Sequence, residues 1–263
     1  MKSVLIASSL ALALASGSAL AADMGLPVKA PIAPAPPPAP SWTGCYVNAG
    51  VGYGFWNQQH YEEDLPSDTQ LTATVNTGGE GWLGRFGGGC DYQIMPSFTI
   101  GVFGDYDIAN INGTLQGTLL AVNGNENLSS EWAVGGRVGY VALPGLLAFF
   151  EGGYTQARFD QVNFSTTIFP SIAAPYDLAA QTYNGWFIGG GYEYALTWLP
   201  VPGLFWKTEY RYSTYQAADI PIIITPTGTP FGYGEHVQKD VQTITSSLVW
   251  RFNWTGAPLA TRY

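Results

Sequence analysis

From Trp42 onward the chain alternates, apolar then small or polar, in segments of about ten residues separated by turn-rich stretches. In the first segment Cys45, Val47, Ala49, Val51, Tyr53 and Phe55 oppose Tyr46, Asn48, Gly50, Gly52 and Gly54. Successive strand residues point to opposite faces, so the first set suits lipid and the second a narrow interior. Seven further segments behave alike, at 80–94, 98–108, 131–141, 147–159, 185–196, 204–215 and 240–254. Their connections alternate in length. Residues 95–97, 142–146 and 197–203 are short, whereas 56–79, 109–130, 160–184 and 216–239 are long. The pattern predicts an all-β, eight-stranded antiparallel up-and-down transmembrane β-barrel, with short turns in the periplasm and long loops outside.

A soluble barrel would bury its apolar face inward and show polar residues outward. Here the mid-strand charges fall on the face opposite the apolar one, which reverses that arrangement. Only 11% of residues are charged, against about 25% in an average soluble domain. Beyond the N-terminus no run of about 18 apolar residues suggests a spanning helix. The formal charge of −9 argues against nucleic acid as a partner. Residues 1–21 read as a secretory signal, with Lys2, an apolar Val4–Ala15 core and Ala19-Leu20-Ala21 before the cleavage point. Residues 22–41 read as a Pro/Ala-rich periplasmic linker, 42–254 as the barrel and 255–263 as a C-terminal extension. Trp42, Trp82, Trp132, Trp186, Trp206, Trp250 and Trp254 fall near strand ends, where interfacial belts place indoles.

Several strand motifs stand in a telling order: Trp42-Thr-Gly-Cys-Tyr-Val-Asn-Ala-Gly, Gly101-Val-Phe-Gly-Asp-Tyr-Asp, Gly136-Arg-Val-Gly-Tyr, Gly190-Gly-Tyr-Glu-Tyr-Ala, Lys207-Thr-Glu-Tyr-Arg-Tyr and Leu248-Val-Trp-Arg-Phe. Together they resemble the small OmpA-like outer-membrane barrels, and more narrowly the outer-membrane immunogenic protein (porin-family) branch. The resemblance covers about 42–254. It implies an integral outer-membrane protein of a Gram-negative cell envelope, surrounded by lipid and lipopolysaccharide and inserted by the barrel-assembly machinery. Members typically end at the aromatic of the last strand. Here Phe252 is followed by further residues to Tyr263, which leaves open which aromatic is read.

By parity Arg85, Arg137, Lys207, Arg211 and Arg251 point inward, as do Asp91, Asp105, Glu151, Glu193 and Glu209. Charges in a narrow interior persist when paired and hydrogen-bonded. They form either a plug or a gated ion path. The plug is preferred, because eight strands leave room for little more than side chains, and Phe103, Phe149 and Phe187 also face inward. Cys45 and Cys90 lie near the same end of neighbouring strands. They form a disulfide if they are in register, or two lipid-facing thiols if not. His60 and His236 fall in the first and fourth long connections and are weak candidates for haem ligation. No catalytic residue and no metal-ligand spacing stands out, and no other cofactor is implied. Acidic residues in the long connections, among them Glu62, Glu63, Asp64, Asp68, Glu80, Glu126, Asp160, Asp177 and Asp219, match no calcium loop. The expected function is therefore a structural and surface-interaction role in the envelope, with extracellular partners unspecified. The alternatives are a narrow porin for small solutes and loop-mediated haem or ligand binding.

Overall fold

In the computed structural model the described residues are 41–117, 119–169 and 172–253. The expected signal 1–21, the expected linker apart from Ser41, Trp254 and the expected extension 255–263 lie outside them.

Among the described residues twelve strands are present rather than eight: β1 (Gly44–Asp64), β2 (Thr69–Gln70), β3 (Val75–Met95), β4 (Phe98–Gly117), β5 (Val122–Leu143), β6 (Leu146–Phe159), β7 (Val162–Thr166), β8 (Ala173–Leu178), β9 (Gln181–Ala195), β10 (Leu204–Tyr215), β11 (Ala218–Ile224) and β12 (Thr229–Phe252). All pairings are antiparallel within one sheet. Strands β1, β3, β4, β5, β6, β9, β10 and β12 follow one another around the wall, and pairing of β1 with β12 closes them into a ring of eight.

The four connections read as long loops are mostly strand. Strand β1 runs on to Asp64, β4 to Gly117, β5 begins at Val122 and β12 at Thr229. Strands β7, β8 and β11 pair in the order β5–β7–β8–β11–β12 and carry the wall upward beyond the ends of β6, β9 and β10. The reason they escape a parity reading is a change of face. Leu128 and Glu131 on β5 are both buried, as are Phe159 and Val162 across the β6–β7 joint. The same holds for Leu178 and Tyr183, and for Tyr215 and Ile220. Each pair is an odd number of residues apart, so the buried set switches parity at every joint.

The chemistry of the two faces also inverts with height. In the lower tier Val51, Phe86, Val102, Val138, Phe150, Ile188 and Leu248 point out and are exposed. In the upper tier the outward positions carry Asn57, Gln59, Asn110, Asn112, Asn125 and Gln238, while Trp56, Ile111, Leu115, Phe159, Phe164, Ile220 and Val237 pack together inside. Aromatics mark the boundary and bond to the amides above them. Trp132 Nε1 donates to Gln156 Oε1 at 3.0 Å. The Tyr154 hydroxyl donates to Asn184 Oδ1 at 2.7 Å, and that of Tyr210 to Gln242 Oε1 at 2.6 Å. The 21 residues of β1 span about 70 Å of strand, or roughly 50 Å of height once tilted, against an apolar band of about 25 Å in barrels of this type. About half the wall therefore stands clear of the band.

Trp42 leaves the indole belt. It is buried beneath the ring, 5.1 Å from the Phe205 ring centroid, and its backbone N–H donates to Gln93 Oε1 at 2.9 Å. Cys45 stands directly opposite Cys90 in the β1–β3 register, and the two are joined in a disulfide.

The bridge spans 45 residues of sequence, for which chain-entropy arguments give about 4 kcal/mol and practice about 2–4 kcal/mol. Replacing both cysteines by alanine should lower the urea-unfolding free energy of the refolded barrel by that amount. An unchanged midpoint and slope would show that the bridge contributes nothing.

Candidate functional site: the charged barrel interior

The lower tier places an odd-numbered residue inward at every second step of β3, β4, β5, β6, β9, β10 and β12, so charges far apart in sequence converge on the axis. All ten residues expected inside are brought together, in two layers.

The lower layer joins β3, β5, β9 and β12. Arg137 pairs with Asp91 and, at 2.8 Å, with Glu193. Arg251 lies 2.8 Å from Asp91 and 2.7 Å from Glu193. Of the Arg251 nitrogens Nε is aligned as a hydrogen bond, at 2.8 Å to Glu193 Oε2, and both Nη groups serve as ion-pair contacts. Two cations and two anions thus alternate around a neutral ring. The Tyr46 ring lies between the guanidinium groups, 4.4 Å from Arg137 and 4.8 Å from Arg251, and Trp42 closes the layer from below at 4.9 Å from Arg251. Cation–π contacts of this kind are worth most when desolvated. Gly89 makes room for the layer, since a Cβ there would lie 2.6 Å from the Tyr46 hydroxyl oxygen.

The middle layer is built on Arg85, Lys207 and Arg211. Arg85 pairs with Asp107 at 2.7 Å and with Glu209. Arg211 meets Asp105 at 2.8 Å, Glu151 at 3.0 Å and Glu209 at 2.9 Å, and Lys207 meets Glu209 at 2.7 Å. Phe103 and Phe187 flank Arg211 at 5.7 and 4.4 Å. The planar guanidinium forks of the arginines let one side chain satisfy two or three carboxylates at once.

Sequence parity missed further buried charges, among them Asp107, Glu131, Glu126, Lys239 and Glu235. Asp107 shares a strand and a face with Asp105, and its inward position was available from the same alternation. Glu126 and Lys239 pair at 2.7 Å within the upper tier, where Lys239 also lies 4.2 Å from the Phe159 ring. Both sit in segments that read as loops.

The two histidines do not converge. His60 is inward, with Nδ1 3.0 Å from Glu235 Oε2. His236 faces outward, stacks on Tyr61 at 4.7 Å and lies 2.5 Å from Asp219 Oδ1 through Nδ1. They stand on opposite sides of the wall, which removes the geometry for a shared axial pair. Beside His236, burial and the neighbouring Asp219 carboxylate hold the Glu63 carboxyl above its ordinary range. Glu62, Glu63 and Asp64 belong to β1, not to a loop.

The charges therefore form a connected and largely self-compensating network inside the ring. Among the described residues six of the seven cations are buried there, and Arg158 is the exposed exception. Such an interior can hold eight strands in fixed register, and it leaves the outer surface nearly free of positive charge.

The chain is similar to several known proteins. The chain is 27% identical over 221 residues, 81% of its length and 87% of the relative's, to the 31 kDa outer-membrane immunogenic protein of Brucella melitensis biotype 1, and equally to that of Brucella suis biovar 1. Among solved structures it is similar to the outer membrane protein OprG of Pseudomonas aeruginosa, with TM-score 0.48 and 10% identity over 80% of this chain and 97% of that one. It is also similar to the outer membrane protease OmpT of Escherichia coli, with TM-score 0.44 and 10% identity over 80% and 97%. The sequence profile of the outer membrane protein beta-barrel domain matches residues 7–252. With nearly the whole chain inside that match, this protein belongs to the outer membrane protein β-barrel domain family, and its place is the outer membrane.

Proposed function

We propose that the ring of eight is the membrane-spanning unit, that its short turns face the periplasm, and that the upper tier stands outside the cell as a rigid platform for surface interactions. The observation that carries this reading is the charge-filled interior. Arg85, Arg137, Arg211 and Arg251 are each buried and each meet two or more carboxylates. Opening a water path would separate those pairs within a narrow lumen, which is costly when a buried charge loses its partner. The lumen is a strut in this reading, and the protein's contacts are made from its outer surface.

The upper tier has the chemistry for such contacts. Its outward amides can donate and accept hydrogen bonds to sugars and peptides. With Arg158 as the one exposed cation among the described residues, contact with lipopolysaccharide phosphates passes through that arginine or through bridging divalent ions. Phe252 ends β12 opposite Cys45 at the seam, a position suited to recognition by the assembly machinery.

Two measurements test the proposal. Purified, refolded protein in a planar bilayer at neutral pH should give no discrete single-channel openings; steady openings from protein shown to be folded would favour the narrow porin instead. Arg211→Leu, which strands Asp105, Glu151 and Glu209, should cost about 3–5 kcal/mol of unfolding free energy. A loss below about 1 kcal/mol would mean that water already screens the lumen.

A further inference from the structure

On the outward face of the upper tier three strands bring unlike ligand groups to one point. Tyr61 on β1, His236 on β12 and Asp219 on β11 are direct cross-strand neighbours. Glu63, two residues beyond Tyr61, completes the set. One ligand atom from each of Glu63, Asp219 and His236 lies within 4.8 Å of the others.

We infer that Glu63, Asp219 and His236 form a binding site for one divalent transition-metal cation of the zinc class. One imidazole nitrogen and two carboxylate oxygens are a donor set that zinc accepts, with a further position left for water. Three features point to a ligand rather than to a chance cluster of acids. Glu63 is only 4% exposed, and its Oε1 has no hydrogen-bond partner, which leaves a lone pair of a buried carboxylate available to a ligand. The Tyr61 ring, stacked at 13° to the imidazole, fixes the plane in which the His236 nitrogens point. Asp68 adds negative charge nearby, and Arg158, the exposed cation among the described residues, belongs to another strand.

The geometry needs one small adjustment. Zinc bonds of about 2.1 Å place donor atoms about 3.3 Å apart, whereas His236 Nδ1 and Asp219 Oδ1 are 2.5 Å apart. The Asp219 side chain is half exposed and is free to swing outward, while Glu63 and His236 remain held by the wall. The ion replaces the His–Asp hydrogen bond, and its open position faces solvent, where a second oxygen ligand can reach it.

Zinc chloride titrated calorimetrically into the refolded full chain should show one saturable site per chain. His236→Ala and Asp219→Asn should each weaken it at least about ten-fold, with folding checked by the heat-induced shift of the barrel on gels. Asp160→Asn, an acid elsewhere in the tier, should bind as the wild type does. Absence of saturable binding to the wild type overturns the inference. So does undiminished binding by either site variant, or an equal loss in Asp160→Asn, which would reveal diffuse attraction to an acidic surface. Asp219 is exposed, so its variant keeps the test decisive should His236→Ala fail to fold.

Discussion

A strand crossing hydrocarbon has no water to satisfy its backbone N–H and C=O groups, and a sheet in that setting must close on itself. The β1–β12 seam is what meets this demand. It runs in unbroken register from Cys45 opposite Phe252 to Asp64 opposite Tyr233. The first and last strands of the fold are thereby made neighbours along their whole length, and every other feature is arranged on the wall that results. Alternation then fixes one set of side chains to lipid and the other to the axis.

Closure creates a second demand, because the axis must be filled. In the lower tier it is filled with charge and aromatics, and in the upper tier mostly with apolar side chains around the Glu126–Lys239 and His60–Glu235 pairs. The difference follows from the surroundings. Where lipid takes the apolar residues, the polar face is left for the interior, and it must neutralise itself. Where water surrounds the wall, the interior reverts to an ordinary hydrophobic core. One continuous sheet thus serves two solvents by exchanging the chemistry of its faces midway.

That exchange sets how much was legible in the sequence. In the lower tier each strand keeps one parity through the span, so the ten lumen charges could be placed from alternation, and the structure unites them. The upper tier resisted for two reasons. Its apolar residues lie on the face that carries charge below, and the faces switch parity at Ser129 and at the joints after Phe159, Leu178 and Tyr215. A pattern that changes both phase and sign looks like no pattern, and β7, β8 and β11 therefore read as loop. Glu126, Lys239 and the outward face of His236 were hidden with them. Trp42 was misplaced for a different reason: an indole at a strand end suits the belt, and only the position of Arg251 and Phe205 shows that it turns under the ring instead.

The joints at 160–161, 179–180 and 216–217 also shape how the family can diversify. Within an unbroken strand, gaining or losing one residue would turn every later side chain to the wrong face. A joint that already absorbs such a slip lets the segment above it change length while the spanning register below stays put. Insertions and drift should therefore collect in β7, β8 and β11 and spare β6, β9 and β10. On that side of the wall, novelty in the upper tier is decoupled from the requirement to keep the ring of eight in register.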